Sequence, residues 1–200
     1  MNKKLKDFEM NKTNPFAKQA IVNIGEALVS RTVKAANKDE SALLKAVDNN
    51  GQLLGNTVFI RTRVVDSETF AKVYKLGFQQ FSDLKPSTLA VFQFIVQCLK
   101  PDRDDFYFFV EDAMESTKYS KMTIYRALGE LCNKNIIARG RTEEQYYINP
   151  MYVFNGDRVT FAQTWINSNY PDYQTTANQL KSTIETMQGQ GELPFLFPEE

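Results

Sequence analysis

The stretch from Val110 to Ile148 restricts the fold more than any other part of the chain. Within Ser120–Asn135, Ile124, Leu128 and Leu131 recur at i, i+4 and i+7, which puts them on one face of a helix. Met122, Arg126, Gly129 and Asn133 fall on the opposite side, with Thr123 and Tyr125 on the flanks. Ser120 is a good N-cap, because its hydroxyl can satisfy a free N–H of the first turn. A short helix over about Val110–Ser116 and a turn over Thr117–Tyr119 precede it. Asn135–Ile148 then reads as strand, turn, strand, with Ile136, Ile137, Tyr147 and Ile148 on the apolar side. Arg139 and Arg141 flank Gly140 at the turn. Helix, turn, helix and basic hairpin in this order predict an α+β, mainly helical fold around a winged helix-turn-helix.

That arrangement suits reading DNA. One helix face locks into the domain, while exposed residues near its N-terminus reach base edges in the major groove. Arg126 can meet a guanine edge or a phosphate. Thr123 and Tyr125 can meet a thymine methyl or a backbone oxygen, and Ser120 and Lys121 sit at the positive helix end, where phosphate is favoured. Arg139 and Arg141 complete the expected DNA-binding set, where a wing meets the minor groove or the flanking backbone. Gly129 costs about 1 kcal/mol relative to Ala inside a helix, which points to a close approach by DNA or by another helix.

Composition removes most enzymatic alternatives. The chain has no histidine, which excludes Ser-His-Asp and Cys-His catalysis, Cys/His zinc sites and His-ligated nicking centres. Cys98 and Cys132 are too few for a four-thiolate site, and they read as reduced thiols of a cytoplasmic protein. No P-loop, dinucleotide glycine turn or Ser-nucleophile elbow is present. The expectation is a non-enzyme with no cofactor and no metal. Asp102, Asp104 and Asp105 could suggest a carboxylate-metal nuclease, but acids clustered in a Pro-initiated turn read first as a loop. No apolar run reaches the roughly 18 residues of a membrane span, and Met1–Lys12 lacks the pattern of a signal peptide.

The net charge of zero conceals segregated blocks. Residues 1–38 carry eight Lys/Arg against three acids, and 117–141 carry six against Glu130. Residues 101–116 hold six acids against Arg103, and 171–200 hold five against Lys181. Local positive blocks can face phosphates whatever the total. The acidic block before the two helices would have to face away from DNA.

Elsewhere the pattern gives three regions. Residues 1–56 are a basic N-terminal arm, mobile over 1–20, with a hairpin through the Asn49-Asn50-Gly51 turn. Residues 57–168 form the winged-helix domain, opening with a strand over Thr57–Val65. A helix capped near Asp66 or Ser67 follows, with Phe70, Val73, Tyr74 and Phe78 at helical spacing. Pro86 opens a nearly all-apolar helix, which should be buried in mid-domain, and Phe106–Phe109 is a short strand. Val159–Ile166 fits either a strand or a helix. Residues 169–200 carry a polar helix and a flexible acidic tail.

Three segments resemble a known family: Tyr119–Leu128, Asn135–Gly140 and the run Tyr147-Ile-Asn-Pro-Met-Tyr-Val-Phe-Asn-Gly-Asp-Arg158. They are similar to the RepL-type plasmid replication initiators of small Bacteroides-type plasmids, over about Thr57–Phe161. The resemblance implies a winged-helix protein that binds double-stranded DNA at its plasmid origin and recruits host replication machinery. The alternative is a winged-helix transcriptional regulator, a repressor, and a homodimer is open in either case. The helix-turn-helix departs from the commonest pattern, having Thr117 where a turn glycine often stands. Gln190–Phe195 also looks like the Gln-x-x-Leu-x-Phe segment by which bacterial proteins bind the replication sliding clamp; otherwise Leu193, Phe195 and Phe197 pin the tail to its own core.

Overall fold

The structure is a computed structural model describing residues 3–28, 45–47, 53–56 and 72–195. It is α+β, with small antiparallel sheets among helices. The chain divides into two compact units, Val29–Glu68 and a larger one formed by Met1–Leu28 with Thr69–Glu200. The larger unit opens with a 3-10 turn (Leu5–Asp7) and helix α1 (Ala17–Ala27). In the smaller unit, β1 (Lys45–Val47) pairs antiparallel with β2 (Leu53–Asn56), across the Asn-Asn-Gly segment. The strand expected over Thr57–Val65 lies outside the described residues, as does the expected cap at Asp66 or Ser67.

In the larger unit, β3 (Lys72–Val73) is followed by α2 (Lys75–Phe81) and α3 (Pro86–Cys98). Val73 and Tyr74 therefore do not belong to the expected helix. Val73 pairs with Val153, and Tyr74 is the extended N-cap of α2. Pro86 does open α3, whose missing N–H is harmless in a first turn. That helix buries one face, through Thr88, Val91, Phe92 and Ile95, and leaves Leu89 exposed.

Next come β4 (Asp105–Tyr107), α4 (Val110–Thr117), α5 (Lys121–Asn133), β5 (Ile137–Arg139), β6 (Gln145–Ile148) and β7 (Val153–Phe154). The central strand is β6, flanked by β4 and β5, all antiparallel. Facing pairs include Phe106 with Tyr146 and Ile137 with Ile148. The sheet packs with α3, α4 and α5 around Val91, Ile95, Phe108, Ile124, Leu128, Leu131 and Ile136. Each of these is fully buried, and burying one such side chain contributes about 1.5–3 kcal/mol.

A second core joins the two ends of this unit. Helix α6 (Arg158–Asn169) settles the Val159–Ile166 segment as helical, with Asp157 Oδ1 capping the Val159 N–H at 3.0 Å. After a 3-10 turn (Pro171–Tyr173), α7 (Leu180–Gly189) presents Leu180, Ile184 and Met187 at i, i+4, i+7. These pack with Ile21, Val22 and Ile24 of α1 and with Phe161 and Ile166 of α6. The expectation of a mobile residue 1–20 arm is thus corrected: Ala17, Ala20 and Ile21 are buried. The flexible tail is corrected as far as Leu193, which is 2% exposed within the same core.

Candidate nucleic-acid interface

The turn between α4 and α5 is three residues long and is closed by the backbone. Lys118 takes the left-handed conformation (φ 61°) and its N–H donates to the Met114 carbonyl at 2.9 Å. Thr117 is the last residue of α4 and donates its hydroxyl to the Ala113 carbonyl at 2.6 Å. The residue replacing the usual turn glycine conformation is therefore Lys118. Ser120 caps α5 as expected, with its Oγ accepting from the Thr123 N–H at 3.4 Å.

Helix α5 keeps the division read from its sequence except at Gly129, which was expected on the outer face and is buried. Ile124, Ala127, Leu128 and Leu131 are buried, while Ser120, Lys121, Met122, Tyr125 and Arg126 are exposed and Thr123 is half-buried. Met122 is 62% exposed, one of several large apolar side chains left at the surface among the described residues. Arg126 has no hydrogen bond or ion pair among the described residues. Lys121 is partly engaged: its Nζ lies 3.3 Å from Glu111 Oε1 and 6.0 Å from the Tyr125 ring centroid. The Glu111 carboxyl is held below its usual range by its own backbone N–H and by Lys121. The acidic block is consequently not wholly turned away from this face.

The hairpin arginines have fates the sequence did not show. Arg139 is half-buried, with one Nη donating to the Phe8 carbonyl at 3.1 Å and a buried Nε lacking any partner. It is held against residues 8–11 rather than offered outward. Arg141 is exposed and donates through Nε to the Lys12 carbonyl at 2.7 Å. The segment receiving them runs along the outer edge of β5, where Met10 bridges Arg139 in parallel and the Asn11 N–H donates to the Arg139 carbonyl. Asn14 anchors its end, donating through Nδ2 to Asp104 Oδ2 and to the Ile148 carbonyl, each at 2.9 Å.

The same segment passes over Gly129. A Cβ there would lie 3.5 Å from the Leu5 nitrogen and 3.7 Å from the Lys3 carbonyl. What packs here is residues 3–5 of the same chain, at ordinary contact distance that leaves room for a Cβ, so the expected close approach by DNA or another helix is not what the structure places at Gly129. Sequence reasoning missed Lys12, Asn11 and Asn14; a glycine inside an otherwise regular amphipathic helix was the one signal of something crossing it.

Other candidate groups are structural. Burial pushes the Cys132 thiol up to about 12, leaving it protonated and a poor nucleophile. Among the described residues no cluster of His, Cys, Asp or Glu could hold a metal ion. No described helix is long and apolar enough to cross a membrane. In Gln190–Phe195, Gln190 is bonded to Tyr173, Leu193 is buried and Phe195 is exposed, so the segment is tied to its own unit; Phe197 lies outside the described residues.

The fold and this face define an α+β protein presenting one amphipathic helix beside a strap-bound hairpin. No family model and no solved structure matches it. The chain belongs to the same family as the "20.9 kDa protein" of Zymomonas mobilis subsp. mobilis. The two are 30% identical over 158 residues, covering 74% of this chain and 83% of that protein.

Proposed function

We propose that this chain is a sequence-specific DNA-binding protein with a winged helix-turn-helix, acting as the replication initiator of a small plasmid. The observation that carries the reading is α5, anchored by Ile124, Leu128 and Leu131 and offering on its outer face an exposed Arg126, without an ion pair among the described residues, beside Tyr125. The order α3, β4, α4, α5, β5, β6, with β6 between β4 and β5, supports calling the hairpin a wing. In this reading α5 enters the major groove, with Thr123, Tyr125 and Arg126 reading bases. Ser120 and Lys121 meet phosphate at its positive end, Lys121 exchanging Glu111 for the stronger charge.

The protein makes no covalent chemistry in this scheme; it marks the origin and recruits host replication proteins. The step from binding DNA to starting replication rests on the RepL-like run Tyr147–Arg158. Arg126→Ala is expected to weaken binding of a selected duplex by about 1–3 kcal/mol and to relax preference at one position. Gel-shift titrations against single-base variants measure this, and unchanged discrimination would remove Arg126 from the readout. Replication of a marker circle carrying this gene and its flanking DNA tests the initiator role. A circle lost despite tight binding to the gene's own promoter would favour the repressor instead.

A further inference from the structure

A shallow groove of about 460 Å³ lies where the N-terminal segment meets the β5–β6 hairpin, lined by Met10, Asn11, Lys12 and Arg141. Lys12 and Arg141 are both exposed, and neither has an ion-pair partner among the described residues. The Arg141 side chain is tied to the main chain of Lys12. The Lys12 carbonyl accepts from Arg141 Nε at 2.7 Å and from the Tyr147 hydroxyl at 3.0 Å. That oxygen would repel an anion, but two donors cover it. The Asn11 side chain is spent on the Glu9 and Arg139 carbonyls. Arg141 also meets the Tyr147 hydroxyl, and the remaining charge on this exposed surface is that of the Lys12 ammonium and the Arg141 guanidinium, groups that suit phosphate oxygens. Glu143 and Glu144 follow in the same loop but are paired with neither cation.

We infer that this groove is a preformed site for one backbone phosphate of duplex DNA, gripped jointly by Lys12 and Arg141. The inference rests on the DNA-binding reading and deepens it. It makes Arg139 a positioning residue, because its guanidinium holds Phe8 of the segment whose next turn carries Lys12. The same segment crosses α5 at Gly129, so groove and helix are fixed relative to each other by one strap.

The test uses the full chain and a mixed-sequence duplex about three helical turns long, titrated at several salt concentrations. Lys12→Gln retains the carbonyl that Arg141 and Tyr147 hold, so the strap stays docked. It should lower the slope of log affinity against log salt by about one and weaken binding up to about tenfold at low salt. Lys12→Arg should restore both values. A Lys12→Gln chain that binds with the native slope, or a loss that Lys12→Arg does not restore, overturns the groove while leaving DNA binding in place. A native chain that shows no salt-dependent binding overturns both.

Discussion

Asp104 shows how one side chain can set a pH response. It stands just before β4, half-buried, and accepts a hydrogen bond from Asn14. Burial raises its pKa above the ordinary carboxylate value, with the Asn14 bond pulling the other way. The folded chain therefore holds this proton more tightly than the unfolded one. Its favourable contribution is complete below the unfolded pKa of about 3.9 and disappears as pH rises through the raised folded value. Asp104→Asn keeps an acceptor for Asn14 and removes the titration. Its stability relative to the native chain should rise between acid and neutral pH, as read from urea midpoints. A difference that stays constant with pH would show that Asp104 titrates normally. Residue-scale roles also explain the run Tyr147–Arg158. Asn149 donates to the Asn135 carbonyl, Asn155 to the Leu99 carbonyl, and Arg158 stacks on the Tyr74 ring at 3.4 Å. Gly156 takes φ 129°, a conformation open to little but glycine. The residues of this run are thus pins of the fold.

At the scale of elements, α5 was legible because its chemistry is local. Periodicity marked its buried stripe, and Ser120 marked its start. The hairpin's partners were not legible, since Phe8 and Lys12 lie far from Arg139 and Arg141 in sequence. The strap and α5 meet at Gly129 at ordinary van der Waals distance for a Cβ. Gly129→Ala should therefore be accommodated and stabilise the chain by up to about 1 kcal/mol through helix propensity. Gly129→Leu should displace residues 3–8 and expose the segment to protease. Denaturation curves and limited proteolysis of the two variants check this; equal protection in both would mean that the strap does not rest on α5.

Across the whole larger unit, the two ends of its chain close one core. Leu193 is buried among α1, α6 and α7, whereas Phe195 is 66% exposed. A chain ending at Gly189 should lose about 2–5 kcal/mol, the range for emptying a buried leucine site. Phe195→Ala should change stability by no more than about 0.5 kcal/mol. Thermal or urea unfolding separates the two. Equal stability of the truncated and full chains would mean the tail does not contribute to this core. The same measurement bears on the clamp-like segment, because any partner that takes Leu193 must first remove it from the fold.

The elements written into local sequence are the α4–turn–α5 pair, the β5–β6 hairpin, the opening of α3 at Pro86 and the exposed face that includes Arg126. Those follow from side-chain period, caps and turn residues acting over a few positions. Long-range packing, by contrast, docks the basic N-terminal segment that local patterns left free. It also turns Arg139 inward, joins Lys12 to Arg141, and gives the C-terminal helix a core shared with α1. Each of these rests on pairings between residues more than a hundred positions apart, which composition and periodicity do not encode.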